Sequence, residues 1–153
     1  MLITEPSSEK DFELYYALRW RILRKPWNQP KGSEKDELED EAIHVMVCND
    51  DRIPAGIGRA HFNASDEAQI RYMAVENEWQ GRGIGKLILN YLEGKIKERN
   101  VEYIVLNARD TAVKFYEKHG YKIVKEAHTL FGAIPHYKMI KHLIPSGSFG
   151  KEV

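Results

Sequence analysis

The chain has a single cysteine, no long uninterrupted apolar run and no excess of charge of either sign. Each lack excludes something. One cysteine forms no internal disulfide, so the fold cannot rest on a stapled scaffold. Set in the apolar run "IHVMVCND", Cys48 reads as a small buried hydrophobe rather than a nucleophile. No stretch of about 18 apolar residues is present to span a bilayer. Lys plus Arg and Asp plus Glu stand at 23 each, which removes the net field that recruits nucleic acid or anionic membranes. The start, "MLITEPSSEKDF", has neither a basic n-region nor an apolar h-region, so no secretory signal is expected. Internal repeats and low-complexity linkers are also lacking. The expectation is one domain over residues 1–153, cytoplasmic, without nucleic-acid or membrane partners; a homodimer is left open.

What is present alternates in period. Ser7 or Ser8 can cap a helix whose apolar face is Phe12, Tyr15, Leu18 and Ile22, with Pro26 and Pro30 to stop it. Residues 31–41, "KGSEKDELEDE", read as a solvated loop or short surface helix rather than an oxygen-ligand metal site. Three strand-like runs follow, "IHVMVCN", "IPAGIGRAHFN" and "EAQIRYMAVEN", joined by turn residues as an antiparallel meander. A helix then carries Ile84, Leu87, Ile88, Tyr91 and Leu92 on one face. After Asn100 come a strand "VEYIVLN", a short helix "TAVKFYEKH" capped by Asp110 and closed by Gly120, and two strands around Gly132. The order implies an α+β fold on a mixed, mostly antiparallel sheet flanked by helices.

Between the third strand and its helix stands "ENEWQGRGIGKLILNYL". Glycine weakens a helix by roughly 0.5–1 kcal/mol relative to alanine, so glycines massed at a helix start serve another purpose. Bare backbone N–H groups at a helix N-terminus can curl around a phosphate, where the helix dipole favours negative charge. Spacing separates the kinds of phosphate loop. A P-loop would need glycine at Gln80 and serine or threonine at Leu87, and both fail. A dinucleotide fingerprint matches Gly81 and Gly83 but meets Lys86 at its third glycine, on a strand that closes a meander. The pattern that fits is Q-x-x-G-x-G, at Gln80, Gly83 and Gly85, with Arg82 and Lys86 on the rim.

The stretch "IRYMAVENEWQGRGIGKLIL" resembles the acetyl-CoA-binding motif of the GNAT superfamily of N-acetyltransferases. "VLNARDTAVKFYEKHGYK" resembles the same family's later strand–helix segment. "GRAH" and "IPHYKM" are similar to the ElaA-like bacterial branch. The resemblance covers roughly residues 44–143.

It implies a GNAT-like fold with splayed central strands, and acetyl-CoA as acetyl donor with no metal. Main-chain groups of Met73, Ala74 and Val75 would pair with the pantetheine arm. Gln80, Gly81, Arg82, Gly83, Ile84, Gly85 and Lys86 would hold the pyrophosphate. Asn107 and Tyr116 would face the thioester, with Tyr116 as general acid toward the sulfur. The partner would be an amine-bearing acceptor of unspecified identity. The base departs from the pattern: some relatives carry glutamate where this chain has Gln69, leaving Glu67, Glu76, His61 and His136 as substitutes. Arg71 is read either as a ligand for an acceptor carboxylate or as the partner of an acid. A non-catalytic acyl-CoA sensor on the same fold is the alternative, with a nucleotide-binding protein behind it.

Overall fold

Ser8 begins the first helix with a reciprocal cap. Its hydroxyl accepts from Asp11 N–H at 3.0 Å, while the Asp11 carboxylate accepts from Ser8 N–H at 3.4 Å. The computed structural model describes residues 1–143, so the last ten positions of the expected 1–153 domain lie outside the described residues. Its elements are β1 (Leu2–Thr4), α1 (Glu9–Leu23), β2 (Ile43–Cys48), β3 (Pro54–Phe62), β4 (Glu67–Val75), α2 (Ile84–Lys97), β5 (Tyr103–Arg109), α3 (Val113–Lys118), β6 (Lys122–Leu130) and β7 (Ile134–His142). Single 3₁₀ turns stand at Lys25–Trp27, Asn77–Trp79 and Asp110–Ala112.

The seven strands form one mixed sheet in the order β1-β2-β3-β4-β5-β7-β6. Antiparallel ladders join β1 to β2, β2 to β3, β5 to β7 and β7 to β6. The β4–β5 pair is parallel and its register covers Glu67↔Tyr103 to Gln69↔Val105. This is the expected α+β architecture, with β1 added; three residues beginning at Leu2 gave no periodic signal. Asp110 does not cap α3: its carboxylate takes the adjacent Thr111 N–H, and α3 starts from Ala112 without a side-chain cap. Gly120, at φ 93°, does close α3, with Gly120 N–H on Glu117 O and Tyr121 N–H on Tyr116 O.

Contacts gather into two units, Met1–His61 with Ile70–Lys95, and Phe62–Gln69 with the chain from Ile96 on. In the first, Tyr15 and Leu18 of α1 bury against Met46, Cys48, Ile57 and Ala74. Helix α2 lies close to β3 because Gly56 and Gly58 carry no side chain. A Cβ on Gly58 would stand 2.5 Å from Ile88 Cγ2, and one on Gly56 would stand 2.6 Å from Ile84 Cγ2. These two glycines set the depth at which the N-terminus of α2 sits.

The acidic segment 31–41 is not a solvated loop. Arg19 and Arg59 are both 0% exposed, and buried guanidiniums that cannot lose their charge require anions. Asp36 takes both Nη atoms of Arg59, at 2.6 and 2.9 Å, and Nη1 of Arg71 at 2.9 Å. Glu39 takes Arg19 and Arg59, each at 2.9 Å, and Arg19 also donates to Glu34 O. His44 donates Nε2–H to Glu39 O at 2.7 Å, so its Nδ1 accepts the Tyr15 hydroxyl, also at 2.7 Å. Asp36 and Glu39 are thus half of an ion-pair network whose other half is scattered over three elements, while Lys31, Lys35, Glu37, Asp40 and Glu41 are exposed.

Burial alone raises the Asp36 pKa, but the Arg59 hydrogen bonds, the Leu38 N–H and the nearby Arg59 and Arg71 charges outweigh it and hold the carboxyl well below its usual range. A depressed folded-state value gives stability that is whole above the unfolded-chain value of about 3.9 and is lost as pH falls through and below it. Asp36→Asn is therefore expected to melt below the parent at pH 7, with the gap narrowing steadily as the pH falls below about 5. Thermal melts across that range decide it, since a gap that does not change with pH would exclude the carboxylate charge as its source.

Candidate active site

The glycine stretch has two parts with different reasons. Gly81 and Gly83 are left-handed, at φ 76° and 83°, and a Cβ on either would meet nothing within 4 Å. Backbone conformation requires glycine there, and the open side of the loop is room for a ligand. Gly85 instead lies in the first turn of α2. The first i→i−4 bond of α2 runs from Leu87 N–H to Gly83 O at 3.1 Å. The N–H groups of Ile84, Gly85 and Lys86 precede it and have no intrahelical acceptor. Together with the loop they make a concave set of donors at the positive end of a helix, suited to a phosphate group.

Gln80 ties this loop to the strand before it. Its Nε2 donates to Val75 O at 3.2 Å and to Asn77 Oδ1 at 3.3 Å. Strand β4 is further anchored by Glu76 N–H on Ala55 O at 2.8 Å. Arg82 lies 5.0 Å over the Trp79 ring, and Lys86 is exposed. Met73, Ala74, Val75, Gln80 and the loop to Lys86 thus form one continuous segment of the first unit. A substrate bearing a pyrophosphate fits the donor set at this loop.

In the second unit, Asn107 is exposed on β5, opposite Lys138 of β7. Tyr116 is buried on α3, packed edge-on against Phe115 at 5.1 Å and Tyr121 at 5.8 Å. Burial pushes its pKa up from 10.0, so the phenol keeps its proton.

The four candidate bases separate by environment. The Asn63 amide and the Tyr103 hydroxyl hydrogen-bond Glu67 and lower its pKa, which makes it a poorer proton acceptor. Glu76 is ion-paired with Arg21. His61 is buried and its Nδ1 faces the Arg59 guanidinium at 3.1 Å. His136 donates Nδ1–H to Ile134 O at 2.9 Å, which leaves Nε2 as the basic nitrogen, and burial lowers its pKa. It stacks on His128 at 4.8 Å. Gln69 accepts from the Asn63 amide at 2.9 Å. Arg71 is the partner of an acid, Asp36. Cys48 is buried, and burial raises its thiol pKa. Among the described residues no group of His, Cys, Asp or Glu is placed to hold a metal ion, and no helix is long and apolar enough to cross a membrane.

Comparison with known proteins shows which family the chain belongs to. Residues 26–143 match the family described as acetyltransferase (GNAT) domain. The chain belongs to the GNAT acetyltransferases. Within that family it is 31% identical over 134 residues to the uncharacterized N-acetyltransferase YjcF of Bacillus subtilis, covering 88% of this chain and 94% of that one. A crystal structure of an aminoglycoside 6'-N-acetyltransferase complexed with coenzyme A shares the fold at TM-score 0.78 and 22% identity, covering 95% and 98% of the two chains. Escherichia coli ElaA shares it at TM-score 0.76 and 17% identity, covering 92% and 97%. This GNAT enzyme therefore carries its glycine loop where the sequence placed it. Two features of the first unit gave no readable signal. One is the pair Gly56 and Gly58, whose role depends on which helix lies over them; the other is Tyr72, whose φ is 60° within β4.

Gly83→Ala follows from this geometry. The added Cβ clashes with nothing in the free protein, so the variant should fold, destabilised by about 1–2 kcal/mol for a left-handed L-residue. It should lose at least about tenfold in coenzyme A affinity, because the loop relaxes away from the conformation that aims its N–H groups. Calorimetric titration beside a melting curve reads both, and unchanged affinity in the folded variant would remove the loop from the site.

Proposed function

We propose that this acetyltransferase moves an acetyl group from acetyl-CoA to a primary amine by direct attack on the thioester. The observation that carries the reading is the left-handed Gly81/Gly83 loop opening onto the first turn of α2. Gln80 to Lys86 hold the pyrophosphate, and the Met73–Val75 main chain takes the pantetheine amides as an added strand would.

In the reaction the amine nitrogen bonds to the acetyl carbon, the C–S bond breaks and the sulfur leaves with its electron pair. From the neutral amine one proton leaves nitrogen and one arrives at sulfur, while an ammonium substrate first gives a further proton to solvent. An alkylamine titrates near about 10.4 in water, so the attacking nitrogen must lose a proton first. His136 keeps its Nε2 lone pair outside the bond to Ile134 O, and burial holds the ring neutral, so a proton acceptor is available there. Asn107 orients the thioester end, and Tyr116 presents a protonated hydroxyl to the sulfur. Much of the rate comes from holding the two substrates together.

Two measurements test the reading. Coenzyme A should raise the melting temperature while ATP and NAD do not. Ligand at 100 times its Kd adds about 2.7 kcal/mol, and each kcal/mol moves a domain of this size by roughly 2–4 °C. Free thiol release with acetyl-CoA and a panel of primary amines then reports turnover. Equal shifts with ATP would overturn the donor, and coenzyme A binding without release across the panel would leave a non-catalytic sensor.

Tyr116→Phe should lower kcat at least about tenfold while changing coenzyme A affinity little. A contact that strengthens as charge develops on sulfur appears in kcat, whereas uniform binding appears in KM. The ring is kept, so its packing against Phe115 and Tyr121 survives and melting should stay near the parent. Turnover within about twofold of the parent would reduce Tyr116 to a wall of the pocket.

A further inference from the structure

Tyr72 stands in the middle of β4, 7% exposed, with φ 60°. Left-handed backbone is uncommon for any residue with a Cβ and exceptional for a bulky one inside a strand, so surrounding contacts must hold it. Those contacts are four guanidiniums. Arg19, Arg71, Arg59 and Arg24 lie 4.2, 4.3, 4.8 and 5.6 Å from the centre of the Tyr72 ring. Each also grips the segment 33–39: Arg19 through Glu34 O and Glu39, Arg59 through Asp36 and Glu39, Arg71 through Asp36, Arg24 through Ser33 O. The next residue is Met73, where the proposed pantetheine-binding main chain begins. A single left-handed residue re-aims the peptide groups that follow it.

We propose that Tyr72 is a positioning residue for the donor: its ring, held among Arg19, Arg24, Arg59 and Arg71, locks the left-handed turn that aims the Met73–Val75 main chain. Coenzyme A affinity is thereby tied to the ion pairs of the acidic segment. This rests on the donor-binding reading above. The ring is the part of Tyr72 that the four guanidiniums lie over. Cation–π attraction at a buried ring makes it a hold, and Arg19, Arg59 and Arg71 cannot move away without breaking their bonds to Asp36 or Glu39.

The test compares variants that delete the same ring but differ in backbone tolerance. Coenzyme A Kd is measured by calorimetry for the parent, Tyr72→Phe, Tyr72→Ala and Tyr72→Gly, with melting curves beside it. Phenylalanine should stay within about twofold, because the ring face is kept. Alanine should weaken binding about 5–30-fold, the left-handed penalty expressed as a population. Glycine should bind at least about threefold tighter than alanine, although it ordinarily stabilises a strand less, because it adopts positive φ freely. Ring deletion acting only through packing predicts the reverse order. Glycine as weak as alanine, or alanine equal to the parent, overturns the proposal.

Should Tyr72→Ala not fold, Arg71→Gln serves instead, because the Arg71 side chain is 45% exposed. It should weaken coenzyme A by about two- to fourfold with little change in melting, and unchanged Kd overturns the link to the acidic segment. A parent that itself fails to bind coenzyme A brings down the donor reading and this proposal together. A parent that binds, with indifferent variants, brings down this proposal alone.

Discussion

Arg59 has no exposed surface and cannot be deprotonated, so the chain must bring carboxylates to it. Much of the first unit follows from that requirement. Asp36 and Glu39 meet Arg59 and Arg19, which fixes the segment between α1 and β2 against β3 and β4. The satisfaction is incomplete: Nε of Arg19 and Nε of Arg59 are buried without a hydrogen-bond partner. The electron-rich face of Tyr72 lies beside both guanidiniums and offsets part of that cost. A network of this kind costs stability compared with a well-packed apolar core, and removing one partner would cost more. What it provides is a single arrangement, because few other conformations match this many charges at once.

Geometry on the other side of β3 works by omission. Gly56 and Gly58 let α2 approach closely enough that Ile84 and Ile88 fill the space a Cβ would need. The same helix begins one residue after Gly83, so close packing against β3 fixes the depth of the glycine turn. Gln80, bonded back to Val75 O, joins that turn to the end of β4. Donor strand, loop and helix are thus held by three different means: ion pairs behind Tyr72, a side-chain amide at Gln80, and bare backbone at Gly56 and Gly58.

The elements were legible because their periods are strong. The apolar spacing from Ile84 to Leu92 and the short runs of β2, β3 and β5 each fix an element without tertiary help, and the glycine spacing located the loop. Charge was misleading where its partners are remote in sequence. "KGSEKDELEDE" looks like solvent-facing chain because Arg19, Arg59 and Arg71 lie on α1, β3 and β4, and nothing in a linear reading pairs them. Arg71, open between two roles in the sequence, is settled by the same network. Tyr72 was hidden for a related reason: a left-handed tyrosine has no sequence signature, and three of the four guanidiniums over its ring, Arg19, Arg24 and Arg59, are remote in sequence. Gly85 lies in the first turn of α2, and of the three loop glycines only Gly81 and Gly83 have positive φ.

The burial of Tyr116 constrains how it can serve sulfur on the proposed reading. An ordinary phenol near about 10 is already a weaker acid than a thiol near about 8.5, so complete proton transfer to the thiolate is uphill by roughly 2 kcal/mol. Burial raises the Tyr116 pKa further and makes full transfer costlier still. A hydrogen bond aimed at the developing charge carries no such cost and strengthens as the C–S bond breaks. On that reading Tyr116 would act as a fixed dipole that keeps its own proton. The proton that ends on sulfur is then the one the amine gives up. A neutral imidazole such as His136, with Nδ1–H committed to Ile134 O and Nε2 open, can take it up from nitrogen and release it. The chemistry asks of each group only what its environment already favours: a phenol that stays protonated and an imidazole that stays neutral.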